Sequence, residues 1–184
     1  MKLTPGEIQI ADLEPSKFRS PGIHHSTILK EILRGMDPKR FGGEGGLNSA
    51  RTFTGFVWEE VLGEAFTKLA RGSRPALCQL ELQREMEGRT VFFTLDAFDT
   101  DRWRVHEYKC TWMSSRHPIE DHRFWHWFAQ LKSYCKVADT REAELYALFV
   151  NGNYERGEGK GGPEMKRWEV EFTEREIEEN WMAI

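Results

Sequence analysis

Cysteine is scarce in this 184-residue chain, and its placement carries no metal or disulfide pattern. Cys78, Cys110 and Cys135 are widely separated, and no two of them form a Cys-x-x-Cys pair. This spacing argues against a disulfide framework, a structural zinc site and a four-cysteine iron–sulfur cluster. The sequence also lacks an export signal and any apolar run long enough to cross a bilayer. We therefore expect neither export nor membrane insertion, and we expect a cytoplasmic location.

Motifs of several enzyme classes are missing as well. No Gly-Lys-Ser or Gly-Lys-Thr follows the glycines of segment 42–46, so this segment does not match a phosphate-cradling loop. We interpret it as a connector, with a lid over the substrate as the alternative. The six histidines never form His-Glu-x-x-His, and neither a Gly-x-Ser-x-Gly elbow nor a convincing Cys-His pair is present. Zinc hydrolysis and covalent catalysis are therefore not supported.

What the chain does contain is enough apolar residues for one domain spanning residues 1–184. It is 39% hydrophobic and 12% aromatic, with a formal net charge of −4. The acidity is concentrated in residues 138–184, which form an acidic carboxyl-terminal region, whereas bases slightly outnumber acids in residues 1–75. The first two thirds can thus present a positive path to a phosphate backbone. The candidate contributors are Lys17, Arg19, Lys30, Arg34, Lys39, Arg40 and Arg51.

The most informative pattern is Asp96 followed, after a turn, by Glu107-x-Lys109. In two adjacent antiparallel strands these three side chains come together, because residues two apart on a strand share a face. Carboxylate oxygens suit a hard cation such as Mg²⁺ or Mn²⁺, and a nearby ammonium can orient a water. The pattern therefore predicts a metal site suited to phosphodiester hydrolysis.

Asp96 and Glu107-x-Lys109 resemble the signature of the PD-(D/E)XK nuclease superfamily. Upstream, Gly55 is followed four residues later by Glu59, which is similar to the helix that brings a further acid to the metal in this superfamily. Glu60 is the alternative to Glu59.

Downstream, Gln130 and Tyr134 resemble the Gln-x-x-x-Tyr motif of the RecB-like and phage exonuclease branch, in which both residues share one helical face. The resemblance spans roughly residues 50–137. It implies a restriction-endonuclease-like core of the α/β class, with a mixed sheet flanked by helices.

The resemblance also implies a mechanism. Mg²⁺ or Mn²⁺ is expected on Asp96, Glu107, Glu59 and the backbone carbonyl of Tyr108, while Lys109 positions the attacking water. Gln130 and Tyr134 would hold the scissile strand. An early basic residue of such exonucleases grips a terminal phosphate, for which the candidates are Lys30, Arg34 and Arg51.

The expected activity is exonuclease digestion of DNA from an end, in phage-type recombination or repair. The resemblance further implies possible homo-oligomers and a single-strand annealing protein as partner. A structure-selective or restriction-type endonuclease is the enzymatic alternative. A catalytically inactive nucleic-acid-binding or assembly protein of the same fold is the alternative from another class.

Periodicity predicts the elements that carry these residues. We expect Asp99 to form a turn, although a metal-binding role is the alternative. Trp125 is expected either to stack a base or to pack against a loop. Helices are predicted at 26–35 (capped by Ser26), 52–69, 118–138 and 173–182, a three-stranded antiparallel meander at 77–87, 91–98 and 103–108, and further strands at 145–150 and 168–172.

Overall fold

The computed structural model describes residues 20–41, 49–69, 77–155 and 161–184. The helices in these segments are α1 (His25–Met36), α2 (Pro38–Phe41), α3 (Ser49–Leu69), α4 (Trp125–Ala138) and α5 (Glu174–Ala183). The strands are β1 (Ile23–His24), β2 (Leu77–Met86), β3 (Arg89–Asp99), β4 (Arg104–Thr111), β5 (Glu142–Phe149) and β6 (Glu164–Glu171).

The described strands form one six-stranded mixed sheet in which β3 has three neighbours. Strand β2 pairs antiparallel along one edge of β3. On the other edge, β1 pairs parallel at Val91 and Phe92, whereas β4 pairs antiparallel at residues 97–99. Strand β5 continues the sheet parallel to β4, and β6 closes it antiparallel to β5. Strands β4 and β5 can pair in parallel because α4 lies in the connection between them, as parallel strands require a crossover.

Hydrophobic layers cover both faces of the sheet. On one face, α4 and α5 bury a large core that includes Phe93, Phe124 and Leu131. On the other face, α3 packs Trp58 and Leu62 against residues of β3, β4 and β5. Most residues of β4 and β5 are accordingly buried, as expected for strands between two helical layers.

This mixed α/β sheet flanked by helices confirms the predicted fold class. The meander of β2, β3 and β4 and the final strand and helix also lie where the sequence predicts them, with ends shifted by a few residues. Thr173 caps α5 through a reciprocal pair of hydrogen bonds with Glu176. Within the described residues, no helix has the length and apolar character needed to cross a membrane.

The cap of α1 and the start of α4 differ from the prediction, and α3 begins at Ser49 rather than at 52. Ser26 does not cap α1: the capping position is His24, whose side chain makes no capping hydrogen bond. His24 is held extended by pairing with β3, so the helix begins directly at His25. The predicted helix 118–138 begins only at Trp125, because turns and a short 3₁₀ segment, capped by the carboxylate of Asp121, occupy the preceding residues.

Candidate active site

The candidate site lies where β3 and β4 separate. Backbone pairing between the two strands covers Ala97–Asp99 of β3 and stops at His106 of β4. Beyond this point, the carboxylate of Asp96 accepts a hydrogen bond from the backbone N–H of Tyr108 at 2.8 Å. The Asp96 side chain thus spans the opening between the strands.

Strand β4 contributes Glu107 and Lys109 to the site, and helix α4 contributes Gln130 and Tyr134. The Glu107 side chain is only 1% exposed and accepts a hydrogen bond from the Lys109 ammonium. Lys109 also donates to Gln130 Oε1 at 2.9 Å, and Gln130 Nε2 donates to the Tyr134 hydroxyl at 2.8 Å. A continuous chain of hydrogen bonds therefore runs from α4 to the buried carboxylate of β4.

These side chains line one cavity of about 110 Å³. The third acid on its wall is Glu59 of α3, whereas Glu60 is exposed and does not line it. The lining residues are His24, Ser26, Glu59, Gln79, Phe92, Thr94, Asp96, Glu107, Lys109, Gln130 and Tyr134.

The three acids make the cavity electrostatically strained without a cation. Burial raises the pKa of Asp96 well above its usual value, and the charges of Glu107 and Glu59 raise it further. Lys109 and the Tyr108 N–H oppose this rise only in part. Burial lowers the pKa of Lys109, but Glu107, Asp96 and Glu59 outweigh this effect and keep the ammonium protonated.

The donor set fits a hard divalent cation in its chemistry. Asp96, Glu107 and Glu59 supply carboxylate oxygens, which are the ligands that Mg²⁺ and Mn²⁺ prefer. A cation would also relieve the repulsion that raises the pKa of Asp96. Within the described residues, however, no three acidic, histidine or cysteine side chains already stand as a ligand cluster. The site is thus an anionic cavity rather than a preformed cage.

Other residues singled out from the sequence lie away from the cavity. Lys30 and Arg34 are exposed on α1, and Arg34 forms an ion pair with Glu31. The carboxylate of Asp99 accepts hydrogen bonds from the backbone N–H groups of residues 101 and 102, which gives it the predicted turn role. Trp125 is partly buried in the contact between α1 and α4 rather than presented to a base.

Several candidate positions fall outside what the structure describes. Residues 42–46, with the lid alternative, belong to this group. Of the basic residues, Lys17 and Arg19 also lie outside the described residues, as do the side chains of Arg40 and Arg51. Lys39 is described and exposed.

The sequence interpretation missed part of the cavity wall. Thr94 and Phe92 could have been found, because they alternate with Asp96 along β3 and therefore share its face. Gln79 of β2 lies opposite Asp96, because its neighbours Cys78 and Leu80 pair with the two residues on either side of Asp96. The φ angle of Gln79 is 53°, in the left-handed region. Such strain is uncommon for a residue other than glycine and clusters at functional sites.

A buried histidine, His25, packs beside Tyr134 of the site. His25 is 1% exposed, stacks on Phe93 with 4.9 Å between ring centroids, and lies 5.7 Å from the ring of Tyr134. Burial, together with the charge of Lys109, lowers the pKa of His25 to about 4. The imidazole is therefore neutral at physiological pH and packs against the rings of Phe93 and Tyr134.

Comparison of the sequence with protein-family models and with curated proteins finds no match. Among solved structures, the crystal structure of SSO0001 is similar, with a TM-score of 0.54 at 13% identity over 95% of this chain and 82% of that one. A phage-related exonuclease from Haemophilus somnus 129PT gives a TM-score of 0.44 at 14% identity over 84% of this chain and 74% of that one. At these identities, the likeness to SSO0001 concerns the fold alone.

Proposed function

We propose that this chain is a divalent-metal-dependent nuclease that hydrolyses phosphodiester bonds in DNA, with digestion from an end as the favoured activity. The observation that carries the proposal is the cavity in which Asp96, Glu107 and Lys109 meet where the sheet opens. Carboxylates with one adjacent ammonium can hold a cation and a water side by side. The order of these residues along the chain, which resembles PD-(D/E)XK nucleases, supports the same chemistry.

Asp96, Glu107, Glu59 and the backbone carbonyl of Tyr108 would hold the cation. Bound Mg²⁺ or Mn²⁺ would supply positive charge to the phosphate and would lower the pKa of a water. Lys109 stays protonated and donates a hydrogen bond that orients the attacking water.

Gln130 of α4 accepts a hydrogen bond from Lys109 and donates one to Tyr134, which keeps Lys109 in place. Gln130 and Tyr134 would also align the scissile strand at the cavity. Because positioning contributes strongly to rate, loss of either residue is expected to weaken substrate alignment more than cation binding.

Helix α1 offers a route for the DNA to the cavity. Its first turn borders the cavity through Ser26, and Lys30 and Arg34 follow at about one and two turns along the same helix. Their exposed charges suit phosphate contacts near a DNA end. Homo-oligomers and an annealing-protein partner belong to the same proposal and follow from the phage exonuclease resemblance.

Lys109→Ala is the direct test of the catalytic assignment. We expect the rate of DNA cleavage to fall by about a hundredfold or more, because the variant lacks the group that orients the water. Circular dichroism should show that the fold is kept. Lys136→Ala is the matched control, since Lys136 forms a surface ion pair with Glu178 away from the cavity. Cleavage by Lys109→Ala at the parental rate would refute the assignment.

A panel of DNA substrates separates the activities. Linear and covalently closed circular DNA, each single- and double-stranded, are incubated with Mg²⁺ or Mn²⁺. We expect only molecules with an end to be degraded. Cutting of closed circles would indicate an endonuclease instead, and binding without cleavage of any substrate would indicate a nucleic-acid-binding or assembly protein.

A further inference from the structure

Three aromatic rings of the described residues line the cavity that holds the proposed catalytic acids. Tyr134 has a role in the proposed mechanism, whereas the other two rings have none. His24 of β1 pairs with Phe92 of β3 across the sheet. Their ring centroids lie 5.6 Å apart with 33° between the ring planes, so the two rings lie against each other at a shallow angle. We call these two residues the aromatic pair.

The aromatic pair leads directly to the candidate metal site. Phe92, Thr94 and Asp96 alternate along β3, and all three line the cavity. Their side chains therefore form one row that passes from an aromatic ring through a hydroxyl to a carboxylate. A nucleotide whose phosphate lies at Asp96 can extend its sugar and base along this row.

The chain holds the aromatic pair in a fixed position. A Cβ atom at Gly22 would lie only 2.7 Å from Cε2 of Phe92, so the close approach of the backbone to this ring requires glycine, as does the φ of +148°. The ring of His24 is anchored by a hydrogen bond from Nε2 to the backbone carbonyl of Ser20 at 2.8 Å. A fixed aromatic surface can bind a base with little loss of side-chain freedom.

The faces of the bases decide which form of DNA can stack on the aromatic pair. Inside a double helix each base lies between the neighbouring base pairs, so its faces are covered. An unpaired or frayed end leaves these faces exposed. The strand that stacks beside Asp96 and Glu107 must therefore have left its complement.

We propose that the substrate strand enters this cavity unpaired and that one of its bases stacks on the aromatic pair, so that the preferred substrate is a single-stranded or frayed DNA end. The proposal rests on the nuclease function proposed above and names its substrate class. Because every base has a π-face, this stacking selects unpaired bases without selecting a sequence.

The test compares DNA that has a normal unpaired end with the same DNA carrying abasic nucleotides at that end. Dissociation constants are measured by fluorescence anisotropy in Ca²⁺, and cleavage is measured in Mg²⁺. We expect the parent protein to bind the normal end about tenfold more tightly than the abasic end. Phe92→Leu and His24→Leu, which each remove one ring, should reduce this ratio to about twofold or less. Phe128→Leu, whose ring packs on Phe172 outside the cavity, should keep the tenfold ratio.

The outcomes separate the two proposals. An unchanged ratio in folded Phe92→Leu and His24→Leu, or no preference in the parent protein, would overturn base stacking while leaving the nuclease intact if cleavage persists. Faster cleavage of fully paired blunt ends than of frayed ends would also overturn it. If the parent protein cleaves none of these substrates in Mg²⁺ or Mn²⁺, both proposals fail.

Discussion

At the scale of single residues, charge and burial decide which side chains serve chemistry and which serve packing. Glu107 is buried and forms an ion pair with the partly buried Lys109, so each charge is compensated by the other. His25 is as deeply buried as Glu107, yet it stays neutral because burial lowers its pKa. The Glu107–Lys109 pair suits catalysis. His25 instead contributes to packing, and protonation of its ring at low pH should destabilise the fold.

The buried histidine gives a pH prediction. His25 has a folded-state pKa of about 4, against 6.5 when exposed, so the unfolded chain binds the proton more strongly. The free energy of unfolding should therefore fall as the pH drops from 6.5 to 4, by about 3 kcal/mol from this residue. Urea unfolding of the parent protein and of His25→Phe across this range measures the difference.

The phenylalanine variant should lack this part of the acid dependence. His122→Asn is the control, because the His122 side chain is 83% exposed and should leave the dependence unchanged. An identical acid dependence in the parent protein and His25→Phe would show that His25 does not titrate as a buried group.

At the scale of elements, a second buried carboxylate ties together the strands that carry the site. Glu144 of β5 accepts two hydrogen bonds from Arg167 of β6, at 2.7 and 2.9 Å, and one from Arg104 of β4 at 3.3 Å. The Tyr146 hydroxyl donates to it as well. Burial would raise the pKa of Glu144, but these bonds lower it to about 2, so it stays charged.

Removal of this carboxylate should destabilise the sheet. Glu144→Ala removes an acceptor shared by Arg104, Arg167 and Tyr146. Both arginines are partly exposed and keep other carboxylate partners, so we expect the free energy of unfolding to fall by about 1–3 kcal/mol. Glu178→Ala, which breaks the surface ion pair with Lys136, should cost less than about 1 kcal/mol. Chemical denaturation of both variants measures the two losses of unfolding free energy. Equal losses would contradict a stabilising role for Glu144.

The elements also show where sequence reasoning succeeds and where it stops. The β2–β3–β4 meander could be predicted because alternation and turn residues such as Gly88 are local signals. The cap of α1 could not, because His24 is held extended by pairing with Phe92, far away in the chain. The meeting of Asp96 with Glu107 followed from strand periodicity, whereas the place of His24 on the cavity wall depends on a parallel pairing without a local signal.

At the scale of the whole molecule, the fold brings several negative charges together in the cavity. Their repulsion destabilises the protein when no metal is bound. The acids of the cavity come from α3, β3 and β4, which are brought together only by the complete sheet. Such an arrangement costs stability and is tolerated at functional sites, where a bound cation offsets the repulsion. Stability and cation binding should therefore be linked.

The measurement that tests this link most directly is thermal unfolding with and without Mg²⁺ or Mn²⁺. Asp96→Asn keeps an acceptor for the Tyr108 N–H but removes one of the like charges, so without metal it should unfold at or above the parental temperature. Saturating metal should raise the unfolding temperature of the parent protein by several degrees and leave Asp96→Asn almost unchanged. No metal-induced rise in the parent protein, or an equal rise in the variant, would contradict a cation site built on Asp96.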